Sequence, residues 1–260
     1  MKAYADTPFG QLHYTSVGEG PALLLLHQTP RSHDEFRELQ PLLADGRRVI
    51  AMDMLGFGMS APLPAPQTIE QFAAGAFALL DSLGVAEATV LGHHTGAVVA
   101  LEMAAASDRV PALILSSTPW TGPEYRERHA TDTAVDNVSR TEDGSHLTEL
   151  WRIRQPYYPV GRPDLLERFV RDALAVDPAE GHRACGRYVM EDRARLVTAP
   201  VLLLGASADP FGMRDLPVLR DRLVNARSVD TRIIEGGMVP LMEQSSREVA
   251  SSVSHYLRDA

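Results

Sequence analysis

Apolar residues arrive along this chain in short, nearly uninterrupted runs separated by longer stretches of helical period. Ala22 to Leu26, Arg48 to Met52, Ala88 to Leu91, Ala112 to Leu115 and Val201 to Leu204 carry almost no polar position, the pattern of strands buried on both faces. Between them lie helical signals. Ser32-His33-Asp34-Glu35 has the form of a capping box and predicts a helix to about Leu43; Thr68-Ile69-Glu70-Gln71 repeats that form ahead of Ile69, Phe72, Phe77 and Leu80. Ala97 to Ala106 is a third helical run. Lys2 to Tyr4 and Gln11 to Ser16, around Pro8-Phe9-Gly10, predict an antiparallel hairpin at the start. A helix around Asp215 to Val224, a strand around Thr231 to Ile234 and a helix from about Val239 to Leu257 complete the pattern. Strand and helix alternating in this way imply an α/β class, with a mostly parallel sheet flanked by helices.

The alternation stops between about Trp120 and Asp192. That stretch is charged and aromatic, and helices are expected near Leu147 to Arg154, Asp164 to Ala175 and Ala179 to Met190. The expected organisation is one core, residues 1–119 and 193–260, with a helical cap inserted at 120–192.

Composition narrows the classes without choosing among them. In 260 residues the formal net charge is −9, which disfavours nucleic acid or an anionic membrane as partner because both need a basic face. No apolar run approaches the roughly 20 residues of a membrane helix, and no basic-then-apolar leader opens the chain, so a cytoplasmic location is expected. The one cysteine, Cys185, excludes an internal disulfide and reads as a small buried hydrophobe. His and Asp residues show no metal-ligand spacing, and Gly56-Phe57-Gly58 leads into a proline-rich loop rather than a helix, so neither a metal nor a nucleotide cofactor is expected.

The stretch that carries chemistry is Leu91-Gly92-His93-His94-Thr95-Gly96, a turn from strand to helix with glycines bracketing His94. Four more segments follow a strand or close the chain in a fixed order: His27-Gln28-Thr29-Pro30; Asp53-Met54-Leu55-Gly56-Phe57-Gly58-Met59-Ser60; Gly205-Ala206-Ser207-Ala208-Asp209; and Glu235 to Glu243. On these segments the chain resembles the α/β-hydrolase superfamily along most of its length, with the turn at His94 matching the G-x-S-x-G nucleophile elbow. The resemblance implies the α/β-hydrolase fold and a pocket above the sheet. It also implies an oxyanion hole from the backbone N–H groups of Thr29 and Thr95, and an acid at Asp209. Two positions depart from the pattern. His94 stands where the family has its nucleophile, and Met238 where it has its catalytic histidine.

Imidazole forms no stable acyl intermediate but works as an acid or base near neutral pH, so His94 and Asp209 are the expected catalytic pair. Nε2 of His94 is expected to reach deeper into the pocket than a serine oxygen would. His27, Gln28, Trp120, Trp151, Tyr157 and Met238 are the expected substrate contacts, with His27 also ordering its loop and His93 supporting the elbow by packing. His129, His146 and His182 fall in the insertion, from which one could descend to the site, although a surface position is expected of each. The reading that follows is a cofactor-free enzyme, monomeric or homodimeric, acting on a small apolar carbonyl compound. Three possibilities stay open: hydrolysis of an ester, lactone or C–C bond by water activated at His94; acid/base chemistry of the lyase, decarboxylase, cyclase or cofactor-independent oxygenase kind; and a ligand-binding pseudoenzyme.

Overall fold

Eight strands form one sheet in the order β1-β2-β4-β3-β5-β6-β7-β8. A computed structural model of the chain describes residues 1–131, 136 and 138–259. β1 (Lys2–Thr7) and β2 (Gly10–Val17) make the expected hairpin, and β2 pairs antiparallel with β4 (Arg48–Met52). Every later pairing is parallel: β4 with β3 (Ala22–Leu26), β3 with β5 (Thr89–His93), then β6 (Leu113–Ser116), β7 (Val201–Ala206) and β8 (Val229–Ile234).

The leucine run of β3 shows why these strands carry no polar alternation. Leu24 and Leu26 pack into one layer with Phe72, Leu79, Val98 and Leu101, while Leu23 and Leu25 pack into the other with Phe36, Leu39, Val249 and Val253. Each such side chain contributes about 1.5–3 kcal/mol by leaving water. The first layer holds α2 (Ile69–Ser82) and α3 (Thr95–Ala106); the second holds α1 (Gln40–Leu43), α10 (Leu241–Gln244) and α11 (Ser246–Asp259). The capping box at Thr68 and Gln71 forms both of its bonds, at 3.2 and 2.9 Å.

The box expected at Ser32 does not form. Its Glu35 turns away to accept from the Gln28 backbone N–H at 2.8 Å and from the Gln28 side chain at 2.9 Å, leaving a short 3₁₀ turn, His33–Phe36, and a separate α1. The closing helix is likewise two helices, α10 and α11, with Ser245 between them.

Between β6 and β7 the described chain is helical: α4 (Pro123–Thr131), α5 (Ser145–Arg154), α6 (Pro163–Leu174), α7 (Pro178–Arg187) and α8 (Met190–Ala194), where sequence periodicity predicted three helices; α9 (Leu216–Arg222) follows β7. Buried charge ties this insertion to the core. Arg31 is fully buried, gives two parallel hydrogen bonds to Glu243 at 2.9 and 3.0 Å, and donates to Asp172 of α6 at 3.0 Å. Removing one member of such a buried pair strands its partner's charge, at a cost of about 3–5 kcal/mol.

Candidate active site

The turn after β5 sets the position of every other group. His94 has φ 47° and ψ −114°, a conformation that an L side chain adopts only under constraint, at a cost of about 1–3 kcal/mol. The glycines on either side explain how the turn closes. A Cβ on Gly92 would lie 2.1 Å from the Gly96 carbonyl oxygen, and one on Gly96 would lie 2.1 Å from the Leu26 carbonyl oxygen. The elbow helix therefore presses directly on the end of β3, which carries the His27–Pro30 loop. Thr29 and Thr95 hydroxyls meet at 2.9 Å and pin the two turns together. Neither threonine's backbone N–H takes part in a hydrogen bond among the described residues. Both threonines line a cavity of about 290 Å³ above the strand ends.

His94 lines the same cavity. Its Nε2 lies 2.9 Å from Oδ2 of Asp209, although the N–H axis departs too far from that line for a directed hydrogen bond. Asp209 is fully buried, and its other oxygen accepts from the Phe211 backbone N–H at 2.9 Å. Burial alone would raise this carboxyl; the adjacent His94 imidazole outweighs it and holds Asp209 well below the usual carboxylate range. A carboxylate beside Nε2 favours the proton on that nitrogen and leaves Nδ1, which has no hydrogen bond among the described residues, with a free lone pair on a side chain that lines the cavity. The nitrogen left without a neighbouring charge is thus Nδ1; Nε2, expected to reach deeper into the pocket, lies instead against Asp209.

The residues behind the elbow are fully satisfied. His93 is buried, with Nδ1 3.1 Å from the Ser116 hydroxyl and Nε2 3.0 Å from the Val239 carbonyl. Burial, reinforced by His94, lowers it to about 3. His27 bridges its own loop to the next one, Nδ1 to the Gln28 carbonyl at 2.8 Å and Nε2 accepting from the Met54 N–H at 3.0 Å, and burial lowers it to about 4.

Of the expected substrate contacts, Gln28 lines the cavity and five others do not. His27 is walled in by its own bonds. Trp120 is held at the insertion's root, where its backbone N–H donates to Asp215 at 2.9 Å and Arg222 lies over its ring. Trp151 packs in the insertion's own apolar cluster with Tyr158 and Phe169. Tyr157 lies behind Phe211, ring centroids 4.8 Å apart, and it is Phe211 that reaches the cavity. Met238 is displaced by its neighbour Val239, and its own N–H donates to Gln244 at 2.9 Å.

The insertion supplies what sequence reading placed on the surface or did not single out. His182 and His129 line the cavity, as do Arg154 and Tyr125, and Cys185 does so while buried. Arg154 pairs through two nitrogens with the buried Asp136, and His182 Nε2 lies 3.1 Å from the same carboxylate. The one local signal for this was Gly181, a glycine inside a helical run, which marks a close approach. Its added Cβ would fall 2.5 Å from Thr29 Cγ2.

Away from the cavity, Asp53 gathers His13 and His33, which sequence spacing did not suggest. Oδ2 accepts from His13 Nδ1 and the Met59 N–H, both at 2.9 Å, and Oδ1 accepts from the His33 N–H and Nδ1 at 2.6 and 2.9 Å. With both oxygens already occupied by donors, the cluster acts as a brace for the loops around it. No described helix is long and apolar enough to cross a membrane.

Comparison with known proteins agrees with this architecture. Residues 21–172 match the profile of the alpha/beta hydrolase fold family. The chain is 36% identical over 121 residues to the bifunctional epoxide hydrolase 2 of Mus musculus, a match covering 44% of this chain but only 21% of that protein. It is 30% identical over 230 residues to a 2-hydroxy-6-oxononadienedioate/2-hydroxy-6-oxononatrienedioate hydrolase of Dechloromonas aromatica (strain RCB), covering 77% and 75% of the two chains. The enol-lactonase of Burkholderia xenovorans LB400 superposes with a TM-score of 0.80 at 22% identity over 98% of this chain and all of that one. The bromoperoxidase of Bacillus anthracis does so with 0.81 at 18% identity over 99% and 100%. The relatives matched in sequence are hydrolases, and the chain belongs to the α/β-hydrolase-fold family.

Proposed function

We propose that this protein is a cofactor-free enzyme that hydrolyses a small carbonyl compound, an ester, lactone or C–C bond, with water activated at His94. One observation carries the reading: the contact of His94 Nε2 with Asp209 Oδ2 at 2.9 Å, which leaves Nδ1, on a side chain that lines the cavity, free to act as the base. Nδ1 takes a proton from water as the water oxygen attacks the carbonyl carbon. The Thr29 and Thr95 amides hold the oxyanion of the tetrahedral adduct, and its collapse expels the leaving group, which takes up a proton from its surroundings while His94 releases the one it took to solvent. No serine is acylated on this route. The family supports hydrolysis, and the relative named as a 2-hydroxy-6-oxononadienedioate hydrolase is the reason to include 2-hydroxy-6-oxodienoates among the substrates to be tried.

A second reading rests on the same free Nδ1 facing two amides with no serine between them. A base placed there can take a proton from a bound ketone, and the amides then hold an enolate, giving non-hydrolytic chemistry. The inserted helices serve as a cap over the site in either case.

The test is a panel of aryl lactones, enol esters and 2-hydroxy-6-oxodienoates offered in H₂¹⁸O. Hydrolysis that places ¹⁸O directly in the product, with His94→Ala slower by roughly 10²- to 10⁴-fold, is the expected result. Near-wild-type turnover by folded His94→Ala removes His94 from the reaction. Solvent deuterium exchange into a ketone without hydrolysis would favour the second reading.

A further inference from the structure

The cavity is lined by a second histidine paired with a buried carboxylate. His182 Nε2 lies 3.1 Å from Asp136 Oδ2, as His94 Nε2 lies 2.9 Å from Asp209 Oδ2. In both pairs the carboxylate is fully buried and the imidazole is partly open to the cavity. We infer that His182 is a second acid/base residue, whose Nδ1–H gives a proton to the leaving oxygen of the substrate while His94 takes one from water. This rests on the reading of His94 above.

Three observations hold His182 in that place. First, Asp136 is kept charged: burial raises its carboxyl, but Arg154 and then His182 bring it down to about 2. A carboxylate at Nε2 fixes that nitrogen as a donor, and Nδ1 has no hydrogen bond among the described residues. Second, α7 is seated on the oxyanion turns by the residues flanking His182. Gly181 lets the helix approach Thr29 so closely that a Cβ would lie 2.5 Å from its methyl and 2.7 Å from its hydroxyl. Four residues on, the Cys185 thiol lies 3.8 Å from the Thr95 hydroxyl. Positions 181, 182 and 185 share a helix face, so the contacts that seat the helix also aim His182. Third, Arg154 is buried, two of its nitrogens bind Asp136, and its guanidinium lies over Phe169 with 4.7 Å to the ring centroid. The carboxylate is thus immobilised from behind.

Protons balance across the two histidines. Water gives one to His94 Nδ1, the protonated His182 gives one to the departing oxygen, and exchange with solvent returns both rings to their starting forms. The substrate class that gains from this arrangement has a poor leaving group, an alkoxide or unactivated phenoxide, since a good one departs without help.

The experiment measures kcat/KM for ring-substituted dihydrocoumarins, whose tethered phenols span a range of acidity, with wild type, His182→Gln and His94→Ala. Removing a positioned acid should slow the unsubstituted lactone by roughly 10²-fold and a nitro-substituted one by less than about threefold, so that the dependence on leaving-group acidity steepens. Equal slowing across the series means that His182 only supports the fold, and overturns the inference. So does a wild-type rate in His182→Gln, or a wild-type protein that opens none of the lactones. A steepened series in His182→Gln alongside an unimpaired His94→Ala would remove His94 and leave His182 standing. ¹⁵N shifts of labelled histidines in the wild-type protein give a readout independent of any variant's folding. An Nε2–H tautomer at neutral His182 is expected, and an Nδ1–H tautomer overturns the assignment.

Discussion

Nε2 of His94 lies 2.9 Å from Oδ2 of Asp209, so the tip of the elbow imidazole is turned to a buried carboxylate and Nδ1 is the ring nitrogen left without a hydrogen bond among the described residues. Asp209 follows β7, and the imidazole beside its carboxylate comes from the elbow after β5, while Met238 stands in the chain's last loop.

Unequal losses should follow from mutating the two partners. His94→Ala removes the proton acceptor and should lower kcat by roughly 10²- to 10⁴-fold, while Asp209→Asn disturbs only orientation and tautomer and should cost less. Substrate affinity should change little in either variant. Steady-state kinetics on whichever compound of the panel is turned over checks this, and a larger loss for Asp209→Asn would make the carboxylate the base.

Fluorophosphonates should leave the protein unlabelled. They need a serine activated by a neighbouring base, and the elbow offers an imidazole instead. Intact-mass measurement after exposure to an alkyl fluorophosphonate should show no adduct, and hydrolysis should show no burst. A stoichiometric adduct on any serine with loss of turnover would contradict the mechanism.

The parts of this site that were legible in sequence are those fixed by local backbone. Gly92 and Gly96 had to be glycine because neighbouring backbone leaves no room for a Cβ, and the close approach of that turn to the end of β3 brings Thr95 beside Thr29. The same is true of the buried leucine strands, whose period declared them. What stayed hidden depends on contacts between residues far apart in the chain. Asp136 meets Arg154 and His182 from a stretch without periodicity, and an aromatic such as Trp151 gives no sign whether it turns to a pocket or to its own helices. Glu35 shows that a local motif can lose: the bonds it makes to Gln28 outcompete the capping box its spacing suggested.

Gly181→Ala offers a clean test of how α7 sits on the site. In an exposed helix this change stabilises by about 0.5–1 kcal/mol, because alanine loses less conformational freedom than glycine. Here the new methyl would fall 2.5 Å from Thr29 Cγ2 and 2.6 Å from its Cβ, and a β-branched side chain pinned to Thr95 has no rotamer to retreat into. The expected outcome is net destabilisation of about 1–3 kcal/mol with reduced turnover, read by denaturant unfolding and kinetics. The double variant Gly181→Ala with Thr29→Ser removes the nearest of the three crowded atoms but keeps Cβ at 2.6 Å and the hydroxyl at 2.7 Å, so it should recover only a small part of the stability. A stabilised single variant would mean that α7 is not held against the oxyanion turn.

The last prediction concerns acid stability and the buried histidines that do no chemistry. His27 is lowered to about 4 and His93 to about 3, burial being the largest cause in each, while the unfolded chain titrates near 6.5. A depressed folded value means that the stability these groups confer is present above pH 6.5 and is lost as pH falls toward the folded values, because the unfolded chain takes up protons that the folded one refuses. Between pH 6.5 and 4, His27 alone should remove about 3 kcal/mol, at 1.36 kcal/mol per unit. The bond it stands to lose is specific: Nε2 accepts from the Met54 N–H at 3.0 Å, and a protonated ring cannot accept there. His27→Gln keeps an acceptor for Met54 and a donor for the Gln28 carbonyl but does not titrate. Its unfolding free energy should therefore fall less steeply over this interval than that of the wild type, with the two curves converging at acid pH even if the variant is weaker at pH 7. Urea unfolding at half-unit steps from pH 7.5 to 4 measures both slopes. Parallel curves would show that His27 does not resist protonation, and would shift the acid sensitivity to His93.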